Sequence, residues 1–408
     1  MFIKEVIPSI IKDSRGEKTI QINLKTLLGS FISSAPSGKS KGKHEVPAYN
    51  EKGINWSLRM LKIFSNRLKG KNIPTKNFSS LKDFEAFIKR FEQKFGRFGA
   101  NCVYALESAF LKAAAKENGK ELWQFVAGDK KKVKIPRPVG NCIGGGYHSD
   151  GKKKPDFQEF LVIPRERKFS KAVTRMIHVY NKAGKLIKRD ERRFLSKKND
   201  ESAWRTKLTN EETLEILFEL GREFKVNIGI DAASSSFYKG GYYHYENKKL
   251  IRDRKEQVDY IERVIEKYGL FYVEDGLQEE DFLGFVELSN AAKKMARKLK
   301  FGSLIVGDDL TVTNLTRLRR AVQSKGINAV IIKPNQNGSL VSVASIVDFC
   351  KKNNLKMIFS HRSGETMDDG LADFAVGFGA DFIKCGVNGK ERLIKLRRVM
   401  EIERSLKR

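Results

Sequence analysis

Six ionisable residues stand at the ends of short apolar runs in the second half of the chain. They are Asp231, Glu274, Asp308, Lys333, His361 and Lys384. Their successive spacings of 43, 34, 25, 28 and 23 residues each suit one strand, one helix and the return to the next strand. One charge at a strand end usually caps a helix or contacts water. Six in a row, sorted as three acids and then Lys, His and Lys, predict a shared site.

The residue types indicate which chemistry such a site would carry. Three carboxylates without cysteine or histidine neighbours form a hard oxygen ligand set, which suits Mg²⁺ rather than Zn²⁺. Lys333, near a second lysine, is expected to have its pKa lowered enough to act as a base near neutral pH. The pattern indicates proton abstraction beside a carboxylate, with metal charge stabilising the dianion that forms. An ion-pair network across the same site is the alternative.

Apolar runs that alternate with helical stretches must position these residues. The runs are Phe160–Ile163, Val226–Ile230, Leu270–Val273, Leu304–Val306, Ala329–Ile332, Lys356–Phe359 and Asp381–Ile383. Continuous apolar strands separated by helices predict a parallel sheet covered on both faces. Six or more such units favour a closed α/β barrel, in which the carboxyl ends of the strands meet at one mouth. An open doubly wound sheet is the alternative.

The first part of the chain has a different pattern. Ile20, Ile22 and Leu24 alternate with polar residues, which predicts a strand with one buried face. Further on, apolar residues fall on one face of a helix and predict a packed core; they are Phe84, Phe87, Ile88, Phe91 and Phe95. We therefore predict an α+β domain over residues 1–127, a Lys- and Pro-rich linker over 128–138 and the α/β barrel over 139–408.

The chain of 408 residues has 79 Lys and Arg against 49 Asp and Glu, a net charge of +30. Positive charge attracts polyanions and speeds the capture of small anionic substrates. The basic residues are spread widely, and no basic run alternates with aromatic residues as in a single-strand-binding groove. Nucleic acid is therefore expected only as a secondary, charge-driven contact.

Cysteine spacing and hydropathy exclude several classes of protein. The four cysteines form no CxxC pair, so a disulfide framework or a cysteine zinc site is not expected and buried thiols are. No stretch approaches the roughly 20 apolar residues of a membrane helix. The N-terminus shows no basic region followed by an apolar run, as an export signal would. These features predict a cytoplasmic protein without a membrane span.

Several strings resemble the enolase (phosphopyruvate hydratase) family in their order and approximate spacing, and the resemblance covers nearly the whole chain. In the N-terminal half they are Asp13-Ser14-Arg15-Gly16, Pro36-Ser37-Gly38-Lys39-Ser40-Lys41-Gly42-Lys43-His44-Glu45 and Phe157-Gln158-Glu159-Phe160. Further on they are Asp231-Ala232-Ala233-Ser234, Val273-Glu274-Asp275, Gly307-Asp308-Asp309-Leu310, Lys333-Pro334-Asn335-Gln336, Ser360-His361-Arg362-Ser363-Gly364-Glu365-Thr366 and Ile383-Lys384.

The resemblance implies an α/β fold: a C-terminal enolase-type, TIM-like α/β barrel with an N-terminal α+β capping domain. It implies the reversible dehydration of 2-phosphoglycerate to phosphoenolpyruvate with two Mg²⁺ per active site, and we expect a homodimer or higher homo-oligomer. The implied metal ligands are Asp231, Glu274 and Asp308 for the first Mg²⁺ and Ser40, on a mobile lid loop, for the second. The implied catalytic residues are Lys333 as the base at C2, Glu201 as the acid at the C3 hydroxyl, Glu159 in its support, and His361. The implied substrate-binding residues are His148, Glu159, Lys333, Arg362, Ser363 and Lys384, of which Arg362 and Ser363 contact the phosphate.

The chain departs from the family pattern in three places. Ser202 and Ala203 stand where the family has two glycines after the counterpart of Glu201. Gly276 replaces the proline expected after Glu274-Asp275, and the segment Val46–Asn50 lacks the usual Arg-Asp pair. None of these changes removes an implied ligand or the implied base.

Two other functions fit part of the pattern. A lyase or racemase of the same superfamily could act on another carboxylate, although Arg362, Ser363 and the Ser40 loop favour a phosphorylated substrate. A nucleic-acid or surface-binding protein that keeps the fold is supported only by the net charge of +30.

Overall fold

The computed structural model describes residues 1–39, 42–128, 133–149, 151, 153–299 and 302–406. The strands are β1 (Ile3–Lys12), β2 (Lys18–Thr26), β3 (Gly29–Ser34), β4 (Arg137–Gly144), β5 (Glu159–Ile163), β6 (Trp204–Arg205), β7 (Asn227–Asp231), β8 (Tyr238–Lys239), β9 (Tyr242–Tyr245), β10 (Leu250–Arg252), β11 (Tyr272–Glu274), β12 (Leu304–Gly307), β13 (Ala329–Ile332), β14 (Lys356–Ser360) and β15 (Phe382–Gly386). The helices are α1 (Ile54–Leu68), α2 (Leu81–Phe95), α3 (Ala100–Glu117), α4 (Leu122–Ala127), α5 (Phe169–Asp190), α6 (Asn210–Phe224), α7 (Arg254–Tyr268), α8 (Phe282–Leu299), α9 (Leu315–Gln323), α10 (Pro334–Asn337), α11 (Leu340–Lys352), α12 (Gly370–Phe378) and α13 (Lys390–Ser405).

An antiparallel sheet of β1, β2 and β3 opens the chain, followed by α1 to α4. The strand predicted from alternation is β2, and its Ile20, Ile22 and Leu24 are fully buried. The apolar stripe of α2 is largely core, since Phe84 stacks on Phe110 with ring centroids 4.3 Å apart. Phe87 is the exception and is 38% exposed, because at about 100° per residue it lies at the edge of the stripe.

Among the described residues, eight strands close into a barrel in the order β4, β5, β7, β11, β12, β13, β14, β15. Pairing of β15 with β4 closes it, with Lys384 opposite Val139. The predicted closed barrel is confirmed, and the predicted parallel pairing holds for its strands except β5. Strand β5 runs antiparallel to both β4 and β7. An apolar run of this length carries no information about strand direction, so the pattern could not show the reversal.

Local signals place the helices between the strands. Helix α6 begins at a capping box in which Thr209 Oγ1 accepts a hydrogen bond from the Glu212 amide. Helix α7 is capped in the same way by Asp253 and is followed by Gly269, whose left-handed backbone conformation (φ +62°) suits glycine. Side chains from the strands fill the lower barrel, so the interior is a core rather than a pore.

The cysteine and membrane expectations can be compared with the described residues. All four cysteines are buried as free thiols in this part of the chain, as expected. Among the residues that the structure describes, no helix is both long enough and apolar enough to cross a bilayer.

Candidate active site

The mouth of the barrel gathers the residues from the strand ends. Asp231 is the last residue of β7, Glu274 the last of β11, and the two are partners in register. Asp308 follows β12 directly, and Lys333 follows β13. Because β5 is antiparallel, its first residue, Glu159, lies at the same mouth opposite Asp231.

Lys384 on β15 is the centre of an acidic cluster. Its Nζ lies 2.8 Å from Glu274 Oε2, 3.1 Å from Asp231 Oδ2 and 3.2 Å from Glu159 Oε2. Burial alone would lower the pKa of this ammonium group. The three carboxylates outweigh burial and raise the pKa of Lys384 well above its ordinary value. Lys384 is therefore a fixed cation here.

Lys333 pairs directly with Asp308 through its ammonium group. Burial acts to lower the pKa of Lys333, but the Asp308 carboxylate outweighs it, and the pKa is raised above its ordinary value. The expected lowering is therefore wrong for the arrangement seen here. The reason is geometric: the sequence placed Lys384 near Lys333 but did not show that an acid contacts Lys333.

The predicted metal ligands lie on neighbouring strands and have suitable chemistry. Asp231, Glu274 and Asp308 are buried carboxylates, and Asp308 Oδ1 has no hydrogen-bond partner among the described residues. Buried, orphaned carboxylate oxygens fit a hard divalent cation. Ligand atoms of Asp275, Asp308 and Asp309 lie within 4.8 Å of one another and form a candidate metal cluster that sequence reasoning did not predict. The fourth predicted ligand, Ser40, lies outside the described residues.

Glu201 projects into the mouth from the loop between α5 and β6. Its Oε1 lies 3.4 Å from His148 Nδ1, and its Oε2 lies 3.5 Å from His361 Nε2. Asn141 on β4 donates a hydrogen bond of 2.9 Å to the same carboxylate. Burial acts to raise the pKa of Glu201, but the two histidines outweigh it and hold that pKa well below its usual range.

Glu159 stands beside Glu201, and its pKa is shifted in the opposite direction. Ligand atoms of His148, Glu159 and Glu201 lie within 4.8 Å of one another. Burial raises the pKa of Glu159 well above its ordinary value, and the charge on Glu201 adds to the rise. Two adjacent carboxyl groups with pKa values pushed apart can hold one proton between them, which suits acid–base work.

Arg362 and Ser363 follow β14 and meet the loop from the N-terminal domain. Arg362 Nη1 and Nη2 donate to Glu45 with distances of 3.0 Å, and Nη1 also donates to Asn335 Oδ1 at 3.2 Å. The Ser363 hydroxyl accepts a hydrogen bond of 2.8 Å from the Lys39 amide. The phosphate contacts implied by the resemblance are therefore occupied by protein groups.

The lid segments 33–39 and 42–45 lie across the mouth. Ser37 and Gly364 exchange two backbone hydrogen bonds, and Lys39 Nζ lies 2.8 Å from Asp200 Oδ2. The cavity left beneath has a volume of about 20 Å³. Its lining includes His148, Glu159, Glu201, Asp231, Lys333, His361, Arg362, Ser363 and Lys384. Such a volume holds roughly one water molecule and is too small for a substrate while these segments lie in this position.

Sequence reasoning assigned no role to four residues of this site. Asn141 is fully buried in β4 (Arg137–Gly144), and the largely apolar sequence around it was the available signal, but that strand was not predicted. Asn335 and Glu45 stood within the quoted strings without an assigned role. Asp275 also stood within a quoted string without an assigned role. It accepts hydrogen bonds from the Asp308 and Asp309 amides and so fixes the turn that carries Asp308.

Comparison with known proteins agrees with this geometry. The family description "Enolase, N-terminal domain" matches residues 3–126, and "Enolase, C-terminal TIM barrel domain" matches residues 132–408. A protein named enolase from Methanosphaera stadtmanae is 36% identical, with 99% of this chain and 97% of that protein covered. Enolases from Thermoplasma acidophilum (35% identical; 99% and 98% covered) and Methanothermobacter thermautotrophicus (34%; 99% and 97%) are similar over the same extent. With matching models over both halves of the fold and relatives that span nearly its whole length, the chain belongs to the enolase family.

Proposed function

We propose that this chain catalyses the enolase reaction, the reversible dehydration of 2-phosphoglycerate to phosphoenolpyruvate, with Lys333 as base and Glu201 as acid. The observation that carries the assignment of roles is geometric: Lys333 lines the same cavity as the adjacent carboxyl groups of Glu159 and Glu201. A dehydration needs both a base for the carbon-bound proton and an acid for the departing hydroxyl.

The charges of the mouth match the charges of the substrate. Arg362 offers a planar guanidinium fork for the phosphate, and the Ser363 hydroxyl adds a further donor. Lys384 lies deeper and would face the substrate carboxylate, while His148 lines the side wall next to Glu201. To take phosphate in this way, Arg362 must leave Glu45 and Ser363 must leave the Lys39 amide.

The proton steps follow from these positions. Lys333 removes the proton from C2 of 2-phosphoglycerate, for which it must first give up its ion pair with Asp308 and release its own extra proton to water, so that the neutral amine accepts the C2 proton. The pair Glu159 and Glu201 delivers a proton to the C3 hydroxyl, which leaves as water, with His361 holding the Glu201 carboxylate in place. The C2–H bond and the C3–O bond break, and the C2–C3 double bond of phosphoenolpyruvate forms.

Asp231, Glu274 and Asp308 would hold one Mg²⁺, and Ser40 with the phosphate would hold a second. When bound, these cations supply positive charge that stabilises the additional negative charge on the substrate carboxylate. The lysines that now contact these carboxylates would exchange partners when the cations bind.

The test uses the purified full chain with 2-phosphoglycerate, with phosphoenolpyruvate followed by its ultraviolet absorbance. We expect Mg²⁺-dependent turnover that is removed by EDTA and restored by Mg²⁺. Lys333→Ala should lose roughly 10²–10⁴-fold in turnover, whereas Lys171→Ala, at an exposed lysine of α5, should not change it. Normal turnover by Lys333→Ala would contradict the assignment of the base.

The assembly, the compartment and any polyanion contact remain predictions. We infer a cytoplasmic homodimer or higher homo-oligomer, which light scattering of the purified chain would test by its mass. A charge-driven contact with nucleic acid predicts RNA binding that weakens steeply with salt, and no binding at low salt would exclude it.

A further inference from the structure

The loop that carries Glu201 makes a tight hairpin turn over residues 199–203. The Asn199 amide donates to the Ala203 carbonyl at 2.9 Å, and the Ser202 amide donates to the Asn199 carbonyl at 2.9 Å. Ser202 has a φ of +64°, the left-handed region that a residue other than glycine enters at a cost of about 1 kcal/mol or more. Glu201 therefore lies in a turn in which the following residue, Ser202, has an unfavourable backbone conformation.

The side chain of Asn199 holds this turn together. Its Oδ1 accepts a hydrogen bond of 3.0 Å from the Glu201 amide and one of 2.9 Å from the Ala203 amide. The two donors flank Ser202, so the Asn199 oxygen is bonded to the backbone on both sides of the strained residue. Asn and Asp side chains favour such contacts with backbone amides in turns.

The Asn199 side chain is itself held against the barrel wall. A methyl group built on Gly144 of β4 would lie 2.0 Å from Asn199 Nδ2, so the amide occupies the space that the missing side chain of Gly144 leaves. That Nδ2 is buried and has no hydrogen-bond partner among the described residues. The contribution of Asn199 therefore comes from its oxygen and from its fit over Gly144, not from its NH₂ group.

Contacts on the far side complete the support. The Tyr180 hydroxyl of α5 donates to the Ser202 carbonyl at 2.8 Å, and Arg392 Nη2 of α13 donates to the Asp200 carbonyl at 3.1 Å. These bonds tie the turn to the outer helices. Asn199, by contrast, bonds to the amide of Glu201 itself and is the contact closest to the carboxylate whose direction matters.

We propose that Asn199 is a positioning residue for the dehydration step: its side-chain oxygen, seated over Gly144, fixes the backbone of Glu201 and so aims the Glu201 carboxyl group at the C3 hydroxyl. The inference rests on the proposed role of Glu201 as the acid. Glycine residues after Glu201 would adopt this turn without strain. In this chain Ser202 and Ala203 stand there instead, and Asn199 holds the turn in shape. Proton removal at C2 by Lys333 is a separate event on another strand and does not depend on this turn.

The experiment separates these two events in the full-length enzyme with Mg²⁺. Exchange of the C2 proton of 2-phosphoglycerate with D₂O, followed by NMR, reports Lys333; formation of phosphoenolpyruvate reports the whole dehydration. For Asn199→Ala we expect dehydration to fall about 10- to 100-fold, since misplacement of a reacting group by about 1 Å can cost 10²-fold. Exchange at C2 and KM should each stay within about threefold, because neither uses the Glu201 turn directly.

Two further variants act on the same contact. Asn199→Asp keeps an acceptor oxygen for both amides and should recover most of the lost dehydration rate. Gly144→Ala displaces the Asn199 side chain without altering the turn sequence and should reproduce the Asn199→Ala pattern. Asn353→Ala removes an equivalent amide at the exposed end of α11, where Asn353 donates to the Phe349 carbonyl, and serves as the control for stability and activity.

Three outcomes would overturn the inference. The first is an unchanged dehydration rate in Asn199→Ala, the second a parallel fall in C2 exchange and dehydration, and the third no recovery in Asn199→Asp. Glu201→Gln, measured in parallel, keeps the two proposals apart. Normal dehydration by that variant means that Glu201 is not the acid, whereas impaired dehydration by Glu201→Gln with a normal Asn199→Ala rejects the role of Asn199 alone.

Discussion

The Glu45 carboxylate forms a bidentate ion pair with the Arg362 guanidinium, in which Nη1 and Nη2 each donate to a carboxylate oxygen at 3.0 Å. Glu45 belongs to the lid of the N-terminal domain, and Arg362 follows strand β14 of the barrel. Both side chains are buried, at 7% and 3% exposed. The guanidinium edge that would bind a phosphate is thus already bound to a carboxylate of the same chain.

Replacing Glu45 by Gln should therefore strengthen substrate binding. The amide keeps one hydrogen bond to Arg362 but loses the charge that competes with phosphate. We expect KM for 2-phosphoglycerate to fall roughly fivefold, which corresponds to about 1 kcal/mol. The inhibition constant of inorganic phosphate should fall in parallel. Glu51→Gln, at an exposed position further along the same segment, is the matched control. A higher KM in Glu45→Gln would show that Glu45 supports Arg362 rather than competing for it.

Lys384→Met should make the stability of the protein depend on Mg²⁺. The substitution leaves Asp231, Glu274 and Glu159 without their shared cation, and loss of one partner from a buried ion pair costs about 3–5 kcal/mol. A divalent cation bound by the same carboxylates would restore part of this loss. Calorimetry should show a lower Tm than that of the wild type, and a larger rise in Tm when Mg²⁺ is added.

A second buried lysine provides the control for that comparison. Lys395 on α13 pairs with Glu365 at 2.9 Å, away from the predicted metal ligands. Lys395→Met should lower Tm without increasing the response to Mg²⁺. Equal responses in the two variants would argue against Mg²⁺ binding at the Asp231 cluster.

Glu107 on α3 should give the fold a pH dependence away from the active site. Burial raises the pKa of Glu107 well above its ordinary 4.5, and the charge of Glu85 adds to the rise. The folded state therefore holds a proton that the unfolded state releases above pH 4.5, so the free energy of unfolding decreases as pH rises through this range. Glu107→Gln carries no titrating group and should show a smaller loss of Tm between about pH 6 and about pH 8.

The control for this prediction is Glu5→Gln, at an exposed glutamate of β1. It should leave the pH dependence of Tm as in the wild type. If Glu107→Gln and the wild type lose Tm equally over the range, Glu107 is ionised in the folded protein. Its carboxylate would then have to be stabilised by the Leu340 amide, which donates to Oε2 at 2.6 Å.

The net charge of +30 should affect the capture of an anionic substrate more than its conversion. Long-range attraction is screened by salt, while the buried ion pairs of the closed mouth are screened much less. We expect kcat/KM for 2-phosphoglycerate to fall up to roughly tenfold between about 0.02 and about 0.5 M KCl, with kcat nearly unchanged. A flat kcat/KM over this range would mean that the positive charge does not steer the substrate.

The sequence was sufficient to predict the barrel and most of its mouth. Asp231, Glu274 and Lys384 each lie at or near the end of an apolar run. In a barrel the ends of such strands meet at one mouth, so the sequence alone predicts that these residues lie together. The reversal of β5 could not be predicted, because the apolar run Phe160–Ile163 does not indicate the direction in which the strand runs. Glu159 nevertheless lies at the mouth, since it begins a strand that runs the other way.

The direction of the pKa shifts in the site was harder to predict than which residues form it. The direction of the Lys333 pKa shift depends on which acid contacts its ammonium group, and that contact joins residues 25 positions apart on two strands. The two hydrogen bonds that Asn199 Oδ1 accepts in the Glu201 turn were equally beyond sequence reasoning. Sequence reasoning identified Ser202 and Ala203 as unusual but could not show that a side chain two positions before Glu201 holds the turn.

The closed mouth also bears on which molecules this chain can admit. With the lid down, Arg362 is bound to Glu45 and Lys384 to three carboxylates, so these buried cations are already neutralised. Binding is then an exchange of ionic partners, and its free energy is a difference between two sets of ion pairs. A neutral molecule of the same shape as the substrate offers no replacement anion and leaves the present pairs in place. We therefore expect the charge of a ligand to matter more than its shape for binding at this site.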